Sequence, residues 1–291
     1  MCRYPGLWAR SNRLAIQAAG LDDSVRFFSR SGSATSPGFS PLMWMGDQLV
    51  TFDGFDGLAS ALRGMMSYGF SGFSLAHTDV RTIRRVVSGN RSPSCNFLQI
   101  GGYTMIDQWP LKYLRSKQLL LRWMETAAFS DVVFRTHPGN LPSKSWQYNS
   151  DNETLVAFGT WARVHQALWP YRKALVQLAA STGVPVVRHP WLHYPGDATV
   201  VSLLDQFMVG DAVMVAPVVL ENATTVQVYL PRGSGSWVHV WTGKQLTSPG
   251  WTTLAAPVGQ PGVLVQRASP WAKQLIDAIC SAAHSSCATD A

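Results

Sequence analysis

Short apolar segments that end in polar residues recur along the first half of the chain and alternate with helical patterns. VRFFSRSG (25–32), PLMWMGDQ (41–48), GFSGFSLAHTD (69–79) and DVVFRTH (131–137) each resemble a buried strand with Arg, Asp or His at its carboxyl end. The stretches 56–69 and 116–129 between them have helical periodicity. This alternation predicts β-α-β units and a parallel sheet. Polar residues at the carboxyl ends of its strands are typical of the active-site edge of a (β/α)8 barrel.

Four strands of this kind are visible, whereas a closed barrel needs eight. Residues 11–20 predict the end of a helix that stops at Gly20. A long helical stretch follows at 153–181, where Pro170 should introduce a kink. TGVPVVRHP (182–190) reads as a further short strand and turn. The sequence therefore indicates an α/β barrel that is present only in part.

The pattern changes from Asp211 onward. VMVAPVVL, TVQVYLP, WVHVWTG and GVLVQR alternate apolar and polar residues between Gly and Pro turns. This alternation predicts a small antiparallel β-domain that ends near Arg267. We expect a partial barrel over residues 11–205, with 81–100 as an atypical insertion, a β-sandwich domain over 206–267 and a helix-like tail over 268–291.

Composition excludes several classes of function. The chain is 46% hydrophobic and 14% charged, which is typical of a folded protein with a sizeable core. Its net charge of +7 includes four arginines in the segment 81–100, and no basic run is interleaved with aromatics as in nucleic-acid binders. No run of 18 apolar residues predicts a membrane span, and the start MCRYPGLWAR lacks the apolar core of a signal peptide. The compartment is left open.

Metal and cofactor binding are not expected. The four cysteines, at positions 2, 95, 280 and 287, include no pair with CxxC spacing, and no cluster of histidines accompanies them.

The motifs SRSG, WMGDQ, SGFSLAHTDV with GGYT, LLLRWMETAAF, FRTH, RHP, DQFMVGDAVMVAPV, and VYLPRGS with WTG stand in one order. This order resembles glycoside hydrolase family 31, the retaining α-glucosidase family, over about residues 11–267. Gln in WMGDQ, GGYT and the RTH…GN pattern resemble the sulfoquinovosidase branch. Enzymes of that branch release sulfoquinovose, a 6-sulfonated glucose. The resemblance implies the C-terminal half of a (β/α)8 (TIM) barrel followed by a small antiparallel β-sandwich.

The resemblance makes Asp47 the general acid/base. Retaining hydrolysis needs two carboxyl groups about 5–5.5 Å apart, one as nucleophile and one as acid and then base. Trp44 and Met45 beside Asp47 offer apolar walls, which favour a protonated carboxyl. The structural alternative for Asp47 is an N-cap or turn residue.

Five further residues are expected to bind substrate by the same resemblance, and Trp44 is one of them. Arg30 and His137 hold sugar hydroxyls, and Asp79 shapes the subsite, although each could instead be a structural partner at a strand end. Tyr103 in GGYT holds the sulfonate where α-glucosidases have Phe. A hydrogen bond from its hydroxyl to an anionic oxygen contributes about 1.5–3 kcal/mol.

The nucleophile of the family is expected upstream of SRSG, at the end of the fourth barrel strand. MCRYPGLWAR does not match that segment, and Asp22 and Asp23 precede the strand instead of ending it. We therefore expect a truncated N-terminus, a chain that lacks the nucleophile-bearing half, no activity of this chain alone, and self-association through the open face of the half-barrel. The alternatives are a general α-glucosidase or transglycosidase, or a non-catalytic fragment.

Twenty residues, Arg81 to Ile100, separate HTDV from GGYT. The loop of the family runs through these two motifs without a break. The insertion carries four arginines and no acid. It is either a genuine surface loop or translated non-coding sequence, such as an unspliced intron.

Overall fold

The computed structural model describes residues 3–22, 24–78, 101–102, 106–108, 110–135 and 144–284. The insertion 81–100 and the predicted site residues Asp79, Tyr103 and His137 lie outside the described residues.

The first helix, α1, spans Tyr4–Ala18 and has a proline in its first turn. Proline suits this position because the amide that it lacks would have no partner inside the helix. The chain leaves the helix through Gly20, whose φ of 67° lies in the left-handed region. The predicted helix end at Gly20 is confirmed.

Three of the expected strand segments lie side by side in parallel. Ser29 forms a parallel bridge with Met43, the middle residue of β1 (Leu42–Trp44). Helix α2 (Leu58–Phe70) leads from β1 to β2 (Leu75–His77). Strands β1 and β2 pair in parallel, with Trp44 opposite His77. This order is that of consecutive β-α-β units, so the carboxyl ends of the strands share one edge.

The fourth expected segment does not form a strand within residues 131–135, where the chain is irregular. Among the described residues, the backbone carbonyl of Asp131 has no strand partner; it accepts a hydrogen bond from the side chain of Arg172 and lies 2.9 Å from Nε2 of His165. The prediction of a strand is therefore wrong for this stretch, because tertiary hydrogen bonds replace the ladder.

A hairpin of β3 (Ile106–Gln108) and β4 (Leu111–Tyr113) precedes helix α3 (Lys117–Ser130). The hydroxyl of Ser116 caps this helix by accepting a hydrogen bond from the amide of Leu119. The predicted apolar face of α3 is buried, and so are its polar residues Arg122 and Glu125.

Two helices occupy the long helical stretch. Helix α4 spans Asn152–Ala167 and α5 spans Trp169–Thr182. Pro170 lies in the first turn of α5, where a missing amide disrupts nothing, and Leu168 separates the helices. The chain therefore breaks where the sequence predicted a kink within one helix.

The strands of the C-terminal part are β5 Val187–Arg188, β6 Phe207–Val209, β7 Val213–Ala216, β8 Thr225–Leu230, β9 Ser236–His239, β10 Gln245–Thr247, β11 Gly250–Ala255 and β12 Gly262–Gln266. Six of them form an antiparallel sheet in the order β10-β9-β12-β7-β6-β5. Strands β8 and β11 pair with each other and pack on this sheet through an apolar cluster that includes Met214, Val228, Trp237, Leu254 and Leu264.

Two short 3-10 helices, Pro190–Leu192 and Ala198–Ser202, connect β5 to β6. Because β5 pairs with β6, the C-terminal sheet includes a strand that precedes residue 205. The domain boundary at 205 stays a prediction. Helix α6 (Ala272–Ala283) follows β12 and packs against α4.

A buried ion pair joins α3 to the C-terminal domain. The guanidinium of Arg122 donates to Glu125 at 2.9 Å and to the carbonyls of Ala223 and Ala256 at 2.9 and 2.8 Å. Glu125 also accepts from the amide of Gly259 at 2.6 Å. Burial raises the pKa of Glu125, while the charge of Arg122 opposes the shift. The hydrogen bonds compensate for taking both charges out of water.

Candidate active site

Arg30 and Trp44 meet at the ends of neighbouring strand segments. The amide of Trp44 donates to the carbonyl of Ser29 at 2.9 Å, which fixes the two segments side by side. The guanidinium carbon of Arg30 lies 5.0 Å from the centroid of the Trp44 ring. Phe28 also contacts Trp44, edge to face, with 6.0 Å between the ring centroids. A cation over an aromatic face at this distance contributes about 0.5–2 kcal/mol.

Asp47 follows β1 after a turn at Gly46. Gly46 has a φ of 94°, a conformation that side chains rarely adopt. A Cβ atom at this position would lie 3.5 Å from Nε of Arg30, so the turn passes directly beside the guanidinium. The next residue, Gln48, is buried and donates to the carbonyl of Met45 at 3.0 Å. The turn therefore brings Asp47 next to the Arg30–Trp44 pair.

The charges of Asp47 and Arg30 also act on the carboxyl group of Asp56. Its pKa is raised, first by burial and then by the negative charges of Asp53 and Asp47, while the positive charge of Arg30 opposes the shift. The carboxyl of Asp47 and the guanidinium of Arg30 thus act on one neighbouring group. Sequence analysis did not identify Asp56 as a neighbour of this site.

The second glycine of the GGYT motif lies against the residues that follow Asp47. Gly102 has a φ of 71°, and a Cβ atom there would lie 2.9 Å from the carbonyl oxygen of Leu49. Such a close approach leaves room only for glycine. Gly102, which directly precedes Tyr103, is therefore packed against Leu49, and Leu49 lies two residues after Asp47 in the sequence.

Arg115 ties this motif to a second loop, and sequence analysis missed it. This arginine is only 1% exposed. It donates to the carbonyl of Gly102 at 3.4 Å, to the carbonyl of Trp146 at 2.8 Å and to the side-chain oxygen of Gln147 at 2.7 Å. A single arginine just ahead of a helix offers no periodic signal, so the residue pattern could not have revealed this role.

The structure brings together Arg30, Trp44 and Asp47. The other three predicted residues follow described positions closely: Asp79 lies two residues after His77, Tyr103 one after Gly102, and His137 two after Arg135. Their roles stay predictions.

A buried polar cluster joins the end of β2 to the end of α3. The hydroxyl of Thr78 donates to Oδ2 of Asp131 at 2.8 Å, and the indole of Trp123 donates to that hydroxyl at 3.1 Å. Ser130 donates to Oδ1 of Asp131 at 3.0 Å. Burial raises the pKa of Asp131 to about 7, although the hydrogen bonds from Thr78 and Ser130 oppose the shift.

Two histidines surround Asp131. Burial and the charge of His165 lower the pKa of His77 to about 3. Burial and the charge of Arg172 lower the pKa of His165 to about 4. Nδ1 of His77 lies 3.3 Å from Oδ2 of Asp131 but is not aligned for a hydrogen bond. Because His77 is neutral at neutral pH, we read this contact as packing of a neutral ring against a carboxyl group.

Within the described ranges, no three His, Cys, Asp or Glu side chains are grouped as metal ligands. No helix of that same part is long and apolar enough to cross a bilayer.

Two family models match the chain. The glycosyl hydrolase family 31 TIM-barrel domain matches residues 3–174, and the glycosyl hydrolase family 31 C-terminal domain matches residues 183–269. The chain belongs to glycosyl hydrolase family 31 and matches its TIM-barrel domain and, after it, its C-terminal domain.

Particular members of the family are also similar to the chain. It is 38% identical over 269 residues to the sulfoquinovosidase of Escherichia coli, covering 92% of this chain and 36% of that protein. It is 35% identical over 260 residues to the sulfoquinovosidase of Agrobacterium fabrum, covering 89% of this chain and 35% of that protein.

A solved structure of a family 31 sulfoquinovosidase from E. rectale, in complex with an aza-sugar inhibitor, superimposes with a TM-score of 0.80 at 33% identity. The match covers 96% of this chain and 38% of that one. The chain thus spans a little over a third of the length of these relatives.

Proposed function

We propose that the chain carries the acid/base part of a retaining α-glycosidase that hydrolyses sulfoquinovosides. The observation that carries the proposal is the placement of Asp47 beside the Arg30–Trp44 pair, in a chain 38% identical to a sulfoquinovosidase. The substrate is a small α-glycoside, and neither a nucleic acid nor a metal or cofactor is part of the proposal.

The proposed reaction is a double displacement. A carboxylate attacks the anomeric carbon while Asp47 gives a proton to the departing glycosidic oxygen, so that the C–O bond breaks and a glycosyl-enzyme forms. Asp47 then takes a proton from water, which attacks the same carbon and releases the sugar and the carboxylate. The guanidinium of Arg30 suits sugar hydroxyls, and the ring of Trp44 suits the apolar face of a sugar.

The remaining roles follow the positions of the motifs. Asp79 shapes the subsite and His137 holds a hydroxyl of the cleaved sugar. Tyr103 binds the sulfonate. Its proposed role is supported by the packing of Gly102 against Leu49, because this contact holds the preceding residue close to the segment that carries Asp47.

The nucleophile is the part of the mechanism that we do not assign to this chain. The relatives are more than twice its length, and we propose that their nucleophile-bearing portion has no counterpart in these 291 residues. On this proposal the chain alone does not turn over substrate. A non-catalytic fragment is therefore the second candidate.

Self-association is part of the same proposal. Helix α1 exposes large apolar side chains, including Leu7 at 57%, together with Tyr4, Trp8 and Leu14. Exposed apolar surface of this kind favours a dimer or aggregation, and we propose that the open face of the half-barrel takes part in the contact. Light scattering after gel filtration tests this. A monodisperse monomer that unfolds cooperatively would count against a half-barrel.

Substrate class is tested by Tyr103→Phe in the chain joined to the preceding portion of the E. coli relative. The substitution should weaken hydrolysis of a sulfoquinovoside by about ten-fold or more and leave the matching glucoside nearly unaffected. Equal losses on both substrates would remove Tyr103 from the sulfonate site and favour a general α-glucosidase or transglycosidase.

A further inference from the structure

The cluster around Asp131 links two segments that the proposed function needs in fixed positions. Thr78 immediately precedes Asp79, and Asp131 begins the segment that leads through Arg135 to His137. Asp131 is completely buried, and its side chain and its backbone make separate sets of contacts.

The carboxyl group of Asp131 contacts the end of β2. Oδ2 accepts from the hydroxyl of Thr78 at 2.8 Å, and Oδ1 faces the amide of Thr78 at 3.4 Å. The indole of Trp123 completes the contact by donating to the same hydroxyl. Thr78 is thus hydrogen-bonded to two residues, Trp123 within α3 and Asp131 directly after α3.

The backbone of Asp131 is fixed by two other helices. Its carbonyl accepts from Nη1 of Arg172 in α5 at 2.7 Å and lies 2.9 Å from Nε2 of His165 in α4. A second nitrogen of Arg172 donates to the carbonyl of Ala128, in the last turn of α3, at 2.7 Å. These contacts fix the direction in which the chain leaves α3.

We propose that Asp131 is a positioning residue that, through its carboxyl group and its backbone together, sets the spacing between the segment ending at Thr78 and the segment starting at Val132. Asp79 directly follows the first of these segments, and His137 lies five residues after the start of the second. The proposal rests on the proposed function only for the sugar-binding roles of those two residues.

The ionisable groups that face Asp131 from the elements packed on it are His77 from β2, His165 from α4 and Arg172 from α5. Both histidines stay neutral above about pH 5, and Arg172 stays charged. Asp131 is therefore the group of this cluster that changes charge near neutral pH. If the NMR signal of a side chain next to either segment shifts with the titration of Asp131, that side chain is in contact with Asp131.

The test uses the purified 291-residue chain, with ¹⁵N in its tryptophan and histidine rings, and NMR spectra between pH 5 and 9. We expect the indole of Trp123, on the β2 side, and the ring of His165, on the other side, to shift with one shared midpoint near pH 7. Asp131→Asn should displace both signals and abolish both transitions. Thr78→Val should abolish only the transition of Trp123.

Thr126→Val is the matched control. Like Thr78, Thr126 is 1% exposed, but its hydroxyl donates to the carbonyl of Arg122 within α3 and does not touch Asp131. Both transitions should persist in this variant.

The proposal is overturned if Asp131→Asn leaves the Trp123 or the His165 signal in place, or if the two signals have different midpoints. No sugar takes part in these spectra, so a lack of glycosidase activity in the chain joined to the preceding portion of the E. coli relative would contradict the proposed function and not the role of Asp131.

Discussion

The guanidinium of Arg30 lies over the ring of Trp44, with 5.0 Å between the guanidinium carbon and the ring centroid. The two residues end neighbouring segments that are joined by the bridge between Ser29 and Met43. Asp47 follows after one tight turn. The relation fixes a cation, an aromatic ring and a carboxyl group at one edge of the parallel strands, where (β/α)8 enzymes place their chemistry.

The turn at Gly46 should not tolerate a side chain. Gly46→Ala forces a non-glycine residue to a φ of 94° beside Arg30, which should lower the free energy of unfolding by about 1–3 kcal/mol. Urea unfolding measures the change. Gly159→Ala, inside α4 with its nearest contact at 3.6 Å, is the control and should raise stability by up to about 1 kcal/mol. Equal effects would show that the turn is unstrained.

The ion pair between Arg122 and Glu125 should be indispensable for joining α3 to the C-terminal domain. Arg122→Met leaves the carboxylate of Glu125 buried without its partner, which should destabilise the fold by about 3–5 kcal/mol in chemical unfolding. Lys273→Ala, which breaks a helical ion pair with Asp277 at an 89% exposed side chain, is the control and should change stability by less than about 0.5 kcal/mol. A small effect of Arg122→Met would mean that apolar packing alone joins the two parts.

The buried cluster predicts a pH dependence of stability with a defined sign. The raised pKa of Asp131 contributes stability that is fully present below its ordinary value of 3.8. This stability is lost as the pH rises from there through about 7. The lowered pKa values of His77 and His165 contribute stability that is present above about 6.5 and lost as the pH falls. Between pH 4.5 and 6 the stability gained from the two histidines as the pH rises exceeds the stability lost from Asp131. The summed contribution of the three groups to the free energy of unfolding therefore rises with pH.

Asp131→Asn removes the opposing contribution. The free energy of unfolding of this variant, relative to the unchanged chain, should therefore rise by about 1.4 kcal/mol for each pH unit between 4.5 and 6. Denaturant unfolding at several pH values measures it. Parallel curves for the two proteins would show that Asp131 has an ordinary pKa.

Deleting residues 81–100, so that Val80 joins Gly101, should change the free energy of unfolding by less than about 1 kcal/mol. The entropy of closing a loop grows only about 0.6 kcal/mol for each doubling of its length. In the joined enzyme, the deletion should leave activity unchanged or raise it. A loss of activity on the sulfonated substrate alone would instead show that the four arginines bind its anion. Transcripts that join Val80 directly to the GGYT codons would identify the segment as an intron.

Much of the fold could be predicted because its signals are local. The periodicity of 56–69 and 116–129, the glycine at position 20 and the alternating strands after Asp211 each depend on neighbours in sequence. The irregular stretch at 131–135 could not be predicted, since its apolar residues look like a strand and only contacts with distant helices prevent one.

The candidate site divides in the same way. Arg30, Trp44 and Asp47 belong to motifs that can be read from short segments, and the structure places them together. Arg115 and Asp131 are single buried polar residues whose partners lie up to 53 positions away. Their roles depend on tertiary packing, which no spacing in the sequence encodes.

Hydrolysis of nitrophenyl α-sulfoquinovoside by the 291-residue chain, alone and joined to the preceding portion of the E. coli relative, tests the role of Asp47 most directly. We predict no turnover by the chain alone, because one carboxyl group cannot complete a double displacement. The joined protein should hydrolyse the sulfoquinovoside faster than the matching glucoside, and Asp47→Asn should abolish this activity. Turnover by the chain alone that Asp47→Asn abolishes would show that it contains its own nucleophile. Turnover by the joined protein that survives Asp47→Asn would contradict the assignment of Asp47 as the acid/base.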